Sequence, residues 1–83
     1  MPRDLRNKLS REEKLFVRDF GLQLRALREE RNLSQTKLEA IAGLSKNQVW
    51  RIEKSEVNTT ISNLVLLAKA LDVQIKELFE FRR

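Results

Sequence analysis

The side chains with most chemistry to offer crowd into one short stretch: Lys46, Asn47, Gln48, Trp50, Arg51 and Lys54. Read as a helix, with a rotation of about 100° per residue, the stretch turns Val49 and Ile52 to one side. Lys46, Asn47, Trp50, Arg51 and Lys54 then face the other side, with Gln48 at the margin near the helix start. The outward set suits the edges of base pairs: asparagine pairs with adenine through two hydrogen bonds, arginine or lysine with guanine, and an apolar surface meets the thymine methyl. The plain alternative is a solvated helix face, which carries the same residue types for solubility alone. Trp50 is the only tryptophan, and large aromatics seldom stay fully exposed without a partner. Three fates are open to it: against a sugar or thymine, folded onto neighbouring side chains, or in a protein interface.

A second group lies upstream. Gln35 and Thr36 follow Ser34 in the first turn of a short helix, where unsatisfied amides and the positive end of the helix dipole favour a phosphate. Lys37 adds charge beside them. Ordinary capping by Ser34, with Gln35 in solvent, is the alternative. Downstream, Lys54, Asn58, Thr59 and Thr60 surround a loop and the next helix start, which reads either as a second phosphate clamp or as plain loop and cap chemistry.

Catalysis is disfavoured. The chain has no cysteine and no histidine, so it has no thiol nucleophile, no thiolate metal site and no imidazole base. Its acids are scattered along solvent-facing helix surfaces, without a phosphate-cradling glycine loop or a metal-ligand spacing. No cofactor or metal is expected. The net charge of +5 over 83 residues favours an anionic partner. No apolar run approaches the roughly 20 residues that cross a bilayer, and the first ten residues lack the apolar core of a secretory signal. The expectation is a soluble cytoplasmic protein with no membrane partner.

The elements that must position these groups are all helical. Residues 1–9 form a basic arm, with Arg3, Arg6 and Lys8 against Asp4, and residues 10–83 form a single domain. Ser10 and Glu13 have capping-box spacing, and Phe16, Val17, Phe20, Leu24 and Leu27 make the apolar stripe of the first helix. Gly21 within it costs about 1 kcal/mol relative to alanine, which points to close packing or a local irregularity. Asn32 tolerates the left-handed conformation that ends helices. Ser34 caps a second helix, with Leu38, Ile41 and Ala42 on its buried side and Gly43 as its stop. Ser45 and Gln48 repeat the capping-box spacing and open a third helix with Val49 and Ile52 inward. Thr60 caps a fourth, carrying Ile61, Leu64, Val65, Leu67, Ala68 and Leu71, whose apolar density predicts the most buried segment; Asp72 ends it. Val73, Ile75, Leu78 and Phe79 fit a short fifth helix. Only Gly43 and Leu44 separate the second helix from Ser45, so the two helices must cross steeply and prop the third outward as a ridge that can enter a DNA groove.

Three blocks between Phe20 and Phe79, GLQLRALREERNLSQ, LEAIAGLSKNQVWRIE and TISNLVLLAKALDVQIKELF, resemble the helix-turn-helix family of phage lambda repressor and Cro, also called the xenobiotic-response-element family. The resemblance implies an all-α, compact five-helix domain of bacterial or phage origin, with the helix-turn-helix at helices 2 and 3, bound to double-stranded operator DNA in the nucleoid. It matches Gln35 to a phosphate anchor, Lys46, Asn47 and Arg51 to base-reading positions, and Arg28 with Glu53 to an internal ion bridge. Glu39 stands where the family usually has alanine, so its carboxylate must escape to water or find a base such as Arg51. Asn32 replaces the usual glycine, Thr59 the common proline, and Trp50 a small or polar residue. The expected function is sequence-specific transcriptional regulation, by repression through occupancy. A homodimer would bind a two-fold symmetric operator with half-sites about 34 Å apart. Ile75, Phe79 and Phe81 are the expected dimer contacts. With no ligand-binding domain in the sequence, no small-molecule ligand is expected. The alternative is a protein-interaction module, such as an antitoxin or adaptor, that touches DNA weakly or not at all.

Overall fold

The computed structural model describes residues 9–56 and 59–81. Every regular element among them is helical: α1 (Arg11–Glu30), α2 (Gln35–Ala42), α3 (Gln48–Glu53), α4 (Ile61–Leu71) and a 3-10 turn, η1 (Ile75–Phe79). The expected five helices are therefore four α-helices and one 3-10 segment among the described residues. The 3-10 path buries Leu78 completely while Phe79 reaches across to α1.

Local chemistry accounts for most helix ends. Ser10 and Glu13 form a reciprocal capping box, each side chain accepting from the other's backbone N–H at 3.1 and 2.8 Å. Ser34 Oγ accepts from the Lys37 amide at 3.0 Å, and Thr60 Oγ1 from the Asn63 amide at 3.1 Å. At C-termini the chain turns left-handed at Asn32 (φ 55°), Gly43 (φ 74°) and Asp72 (φ 59°). Ser55 does the same after α3, at φ 68°, while the Glu56 amide donates back to the Arg51 carbonyl at 2.8 Å. A serine there carries the Cβ penalty that glycine escapes. Ser55→Gly should raise stability by roughly 0.5 to 1 kcal/mol after the extra unfolded-state entropy of glycine is subtracted. A thermal melt reads this as a midpoint several degrees higher.

The core is built on Leu24, Leu38, Val49, Leu67, Leu71 and Leu78, all fully buried, with Phe20, Leu27, Ala42, Ile52 and Ala68 around them. Gly21 lies where α1 and α3 touch: a Cβ there would stand 2.5 Å from the Ile52 carbonyl oxygen and 3.2 Å from the Glu53 Cα. Close packing is thus the reason for a glycine in mid-helix. Phe16, Phe20, Phe79 and Phe81 form a ring cluster with centroids 5.0 to 6.3 Å apart, which fastens η1 to α1.

Two burial expectations are corrected. Ile41 is 52% exposed, because Leu38 and Ala42 already fill the inward stripe of α2. The fourth helix is buried only along Leu67, Ala68 and Leu71, whereas Ile61 (77% exposed) and Val65, one turn apart, stand on its outer stripe. Apolar density alone did not distinguish a fully enclosed helix from one with a second apolar face.

Candidate nucleic-acid interface

The helix-turn-helix unit runs from Gln35 to Glu53, with five connecting residues, Gly43 to Asn47, between α2 and α3. The expected helix start at Ser45 is displaced. Asn47 is the N-cap of α3, at φ 72° and ψ 5°, and its side chain makes no capping bond. Lys46 and Asn47 therefore sit in the turn before α3 instead of riding on its outward face. The residue that satisfies the helix start is Glu39, whose Oε2 accepts from the Val49 amide at 3.0 Å. Its carboxylate neither escapes to water nor pairs with Arg51, contrary to the expectation; it is 8% exposed and capping another helix. No local spacing announces this, because donor and acceptor are ten residues apart.

Val49 and Ile52 are buried, while Lys46, Asn47, Trp50, Arg51 and Lys54 are exposed and Gln48 is half-buried. The inward edge of α3 is thus the one that the periodicity implied, while only Trp50 and Arg51 of the expected outward set lie on the helix itself. Trp50 takes in part the second of its three fates: the Lys54 ammonium lies over its ring, 5.3 Å from the centroid, and the indole remains 41% exposed. Such a cation–π contact at an exposed site contributes about 0.5 to 1 kcal/mol.

What holds α3 in place is a knot of side chains from three helices. Arg28 of α1 grips Glu53 of α3 with two hydrogen bonds, Nε to Oε2 at 2.7 Å and Nη2 to Oε1 at 2.9 Å. The two side chains are only 11% and 5% exposed. Arg28 Nη1 also donates to the Leu33 carbonyl at 2.8 Å, fixing the loop into α2. Gln35 of α2 donates from Nε2 to Glu53 Oε1 at 2.9 Å, so its side chain is anchored instead of standing in solvent. The hydrogen-bonded Glu53 carboxylate raises the Arg28 pKa above its ordinary value, keeping the guanidinium charged. Thr36 and Lys37, beside Gln35 in the first turn of α2, are exposed.

The second expected phosphate clamp is described only in part. Thr60 Oγ1 accepts from the Asn63 amide as the cap of α4, which leaves its hydroxyl hydrogen to donate. Thr59 Oγ1 is buried without a hydrogen-bond partner among the described residues, and the residue lines an open apolar cleft of about 140 Å³ with Phe16, Phe20, Leu64 and Phe79. Asn58 lies outside the described residues, as does most of the basic arm. Of the expected dimer contacts, Ile75 and Phe79 are exposed, but within the chain Phe79 already stacks on Phe16 of α1 and Phe81 meets the same ring edge to face. Among the described residues no helix is long and apolar enough to cross a membrane.

The helix-turn-helix family model HTH_3 matches residues 24–78, a segment that contains all of α2, the turn and α3. The chain belongs to this helix-turn-helix family. Membership places the HTH_3 chain among DNA-binding transcriptional regulators. It is 40% identical over 55 residues to the control protein C.SmaI of Serratia marcescens, an alignment covering 66% of each chain. Against the control protein C.BamHI of Bacillus amyloliquefaciens the identity is 35% over 63 residues, covering 75% of this chain and 78% of that one. The fold superposes on the crystal structure of the restriction-modification controller protein C.AhdI from Aeromonas hydrophila with a TM-score of 0.73 and 38% identity, covering 76% of this chain and 96% of that one. The chain thus spans about two-thirds of C.SmaI and nearly all of the C.AhdI chain.

Proposed function

We propose that this HTH_3 protein is a sequence-specific repressor that binds a two-fold symmetric operator as a homodimer, with α3 in the major groove. The reading rests on one observation: α3 buries Val49 and Ile52 and is locked by the Arg28–Glu53–Gln35 knot, while Trp50 and Arg51 on it and Lys46 and Asn47 in the turn before it stay exposed. Similarity to three control proteins supports the same reading. Asn47 and Arg51 are the base readers, with Lys46, Gln48 and Trp50 beside them, and Gln35, Thr36 and Lys37 meet phosphate. The protein works in the cytoplasm, by occupancy alone, without catalysis or a small-molecule ligand. A second copy covers exposed apolar surface, for which Ile75 and the outer stripe of α4, Ile61 and Val65, are available.

Titration with a selected duplex and a random duplex at two salt concentrations tests this. Affinity for both should fall steeply with salt, with a log–log slope of about −0.9 for each phosphate neutralised. Asn47→Ala or Arg51→Ala should weaken binding to the selected duplex by roughly 1 to 3 kcal/mol and relax preference at particular base pairs. Indifference to both substitutions would remove the base-reading assignment. The protein-interaction alternative draws on Trp50, Ile75, Phe79 and Phe81, the first three of them exposed, and it requires weak random binding with no selected sequence.

A further inference from the structure

We infer that Glu39 is a positioning residue for DNA reading: its buried carboxylate caps α3 from beneath and so leaves the Asn47 side chain free to meet the operator. The inference rests on the DNA-binding reading above and assigns a task to a residue that the expected interface did not include.

The first amides of a helix need acceptors from outside the helix, and the residue at the N-cap normally supplies one from its own side chain. Ser10, Ser34 and Thr60 do so here. Each has an extended backbone, with ψ of 170°, 164° and 163°, and each accepts from the amide three residues on. Asn47 is also of a capping type, yet it is left-handed at ψ 5° and caps nothing. Its helix is capped instead by a carboxylate from α2, at 3.0 Å from the Val49 amide. The Glu39 backbone carbonyl, for its part, accepts from the Leu44 amide at 2.9 Å. One residue thus grips both the exit of α2 and the entry of α3.

The Val49 amide in the first turn of α3 gives the buried Glu39 side chain the hydrogen-bond partner that burial demands, and the side chain in turn satisfies an amide the helix cannot. The consequence is functional. A side chain cannot cap its own helix and read a base at once. With Glu39 absent, Asn47 or Ser45 becomes the nearest capping group, and capping by Asn47 requires its backbone to leave the left-handed region, carrying Lys46 with it.

The test compares Glu39→Ala, Glu39→Gln, Asn47→Ala and the Glu39→Ala/Asn47→Ala double variant on a duplex selected by the wild type and on random duplex. Circular dichroism fixes a temperature at which each is folded. Glu39→Ala should lower the preference for selected over random duplex by about tenfold or more, with random binding within about threefold of wild type. Glu39→Gln keeps a carbonyl acceptor and should hold the preference within about threefold. In the Asn47→Ala background the further loss from Glu39→Ala should be less than about threefold, because both act through the same contact. Without DNA, the Val49 amide should lose exchange protection in Glu39→Ala and keep it in Glu39→Gln. A folded Glu39→Ala that holds its preference within about threefold, or a loss fully additive with Asn47→Ala, overturns the inference. Should the wild type select no sequence, the proposed function fails, and Val49 protection still decides whether Glu39 caps α3.

Discussion

Glu53→Ala is expected to destabilise the domain by about 3 to 5 kcal/mol, the cost of breaking a buried ion pair from one side. The truncation leaves the Arg28 guanidinium, 11% exposed, with the Leu33 carbonyl as its remaining acceptor, and it strips Gln35 Nε2 of its partner. Native domains have only about 5 to 15 kcal/mol in total, so denaturant unfolding should show a large fall in midpoint. A double replacement, Arg28→Met with Glu53→Leu, removes both charges and should recover much of that loss. It should not recover DNA affinity, because Gln35 would still lack the Glu53 carboxylate that anchors it at the mouth of α2. If the double variant bound DNA like the wild type, the knot would have no role beyond stability.

Gly21→Ala is the second large effect, and its sign is opposite to that of an ordinary glycine replacement. In an open helix the change gains about 1 kcal/mol. Here the added methyl meets backbone, the Ile52 carbonyl oxygen at 2.5 Å and the Glu53 Cα at 3.2 Å, and neither can swing aside as a side-chain tip would. Helix α3 must move off α1, which strains the two short hydrogen bonds between Arg28 and Glu53. Overpacking costs about 1 to 3 kcal/mol in general and sits at the upper end where backbone is struck, so net destabilisation of about 2 kcal/mol is expected after the propensity gain. Chemical denaturation measures it; a neutral or stabilising result would mean that the α1–α3 contact is looser than the structure has it.

The sequence was most legible where structure is made by near neighbours. Ser10 with Glu13, Ser34, Thr60, Gly43, Asn32 and Asp72 mark helix ends through contacts within a few residues, and those ends are where the residues place them. Gly21 was legible for the same reason, since a costly residue in mid-helix demands a cause. The start of α3 was misplaced because its cap comes from Glu39 on another helix, while Ser45 and Gln48 offered a local spacing that the fold does not use. The pairing of Arg28 with Glu53, 25 residues apart, is implied by family resemblance and by no pattern in the chain, and the place of Gln35 in the first turn of a helix suggests solvent or phosphate and gives no sign of the Glu53 carboxylate. Ile61 and Val65 show the remaining gap: hydrophobicity declares that a residue wants cover without saying whether its own chain or another provides it.

In vitro selection of bound sequences from random duplexes tests DNA reading by α3 most directly, because affinity, specificity and symmetry appear together. The expected result is one enriched motif of two inverted half-sites about 34 Å apart, whose base preference at single positions relaxes for Asn47→Ala and Arg51→Ala. Recovery of unenriched random sequence by the folded wild-type protein at low salt would contradict it.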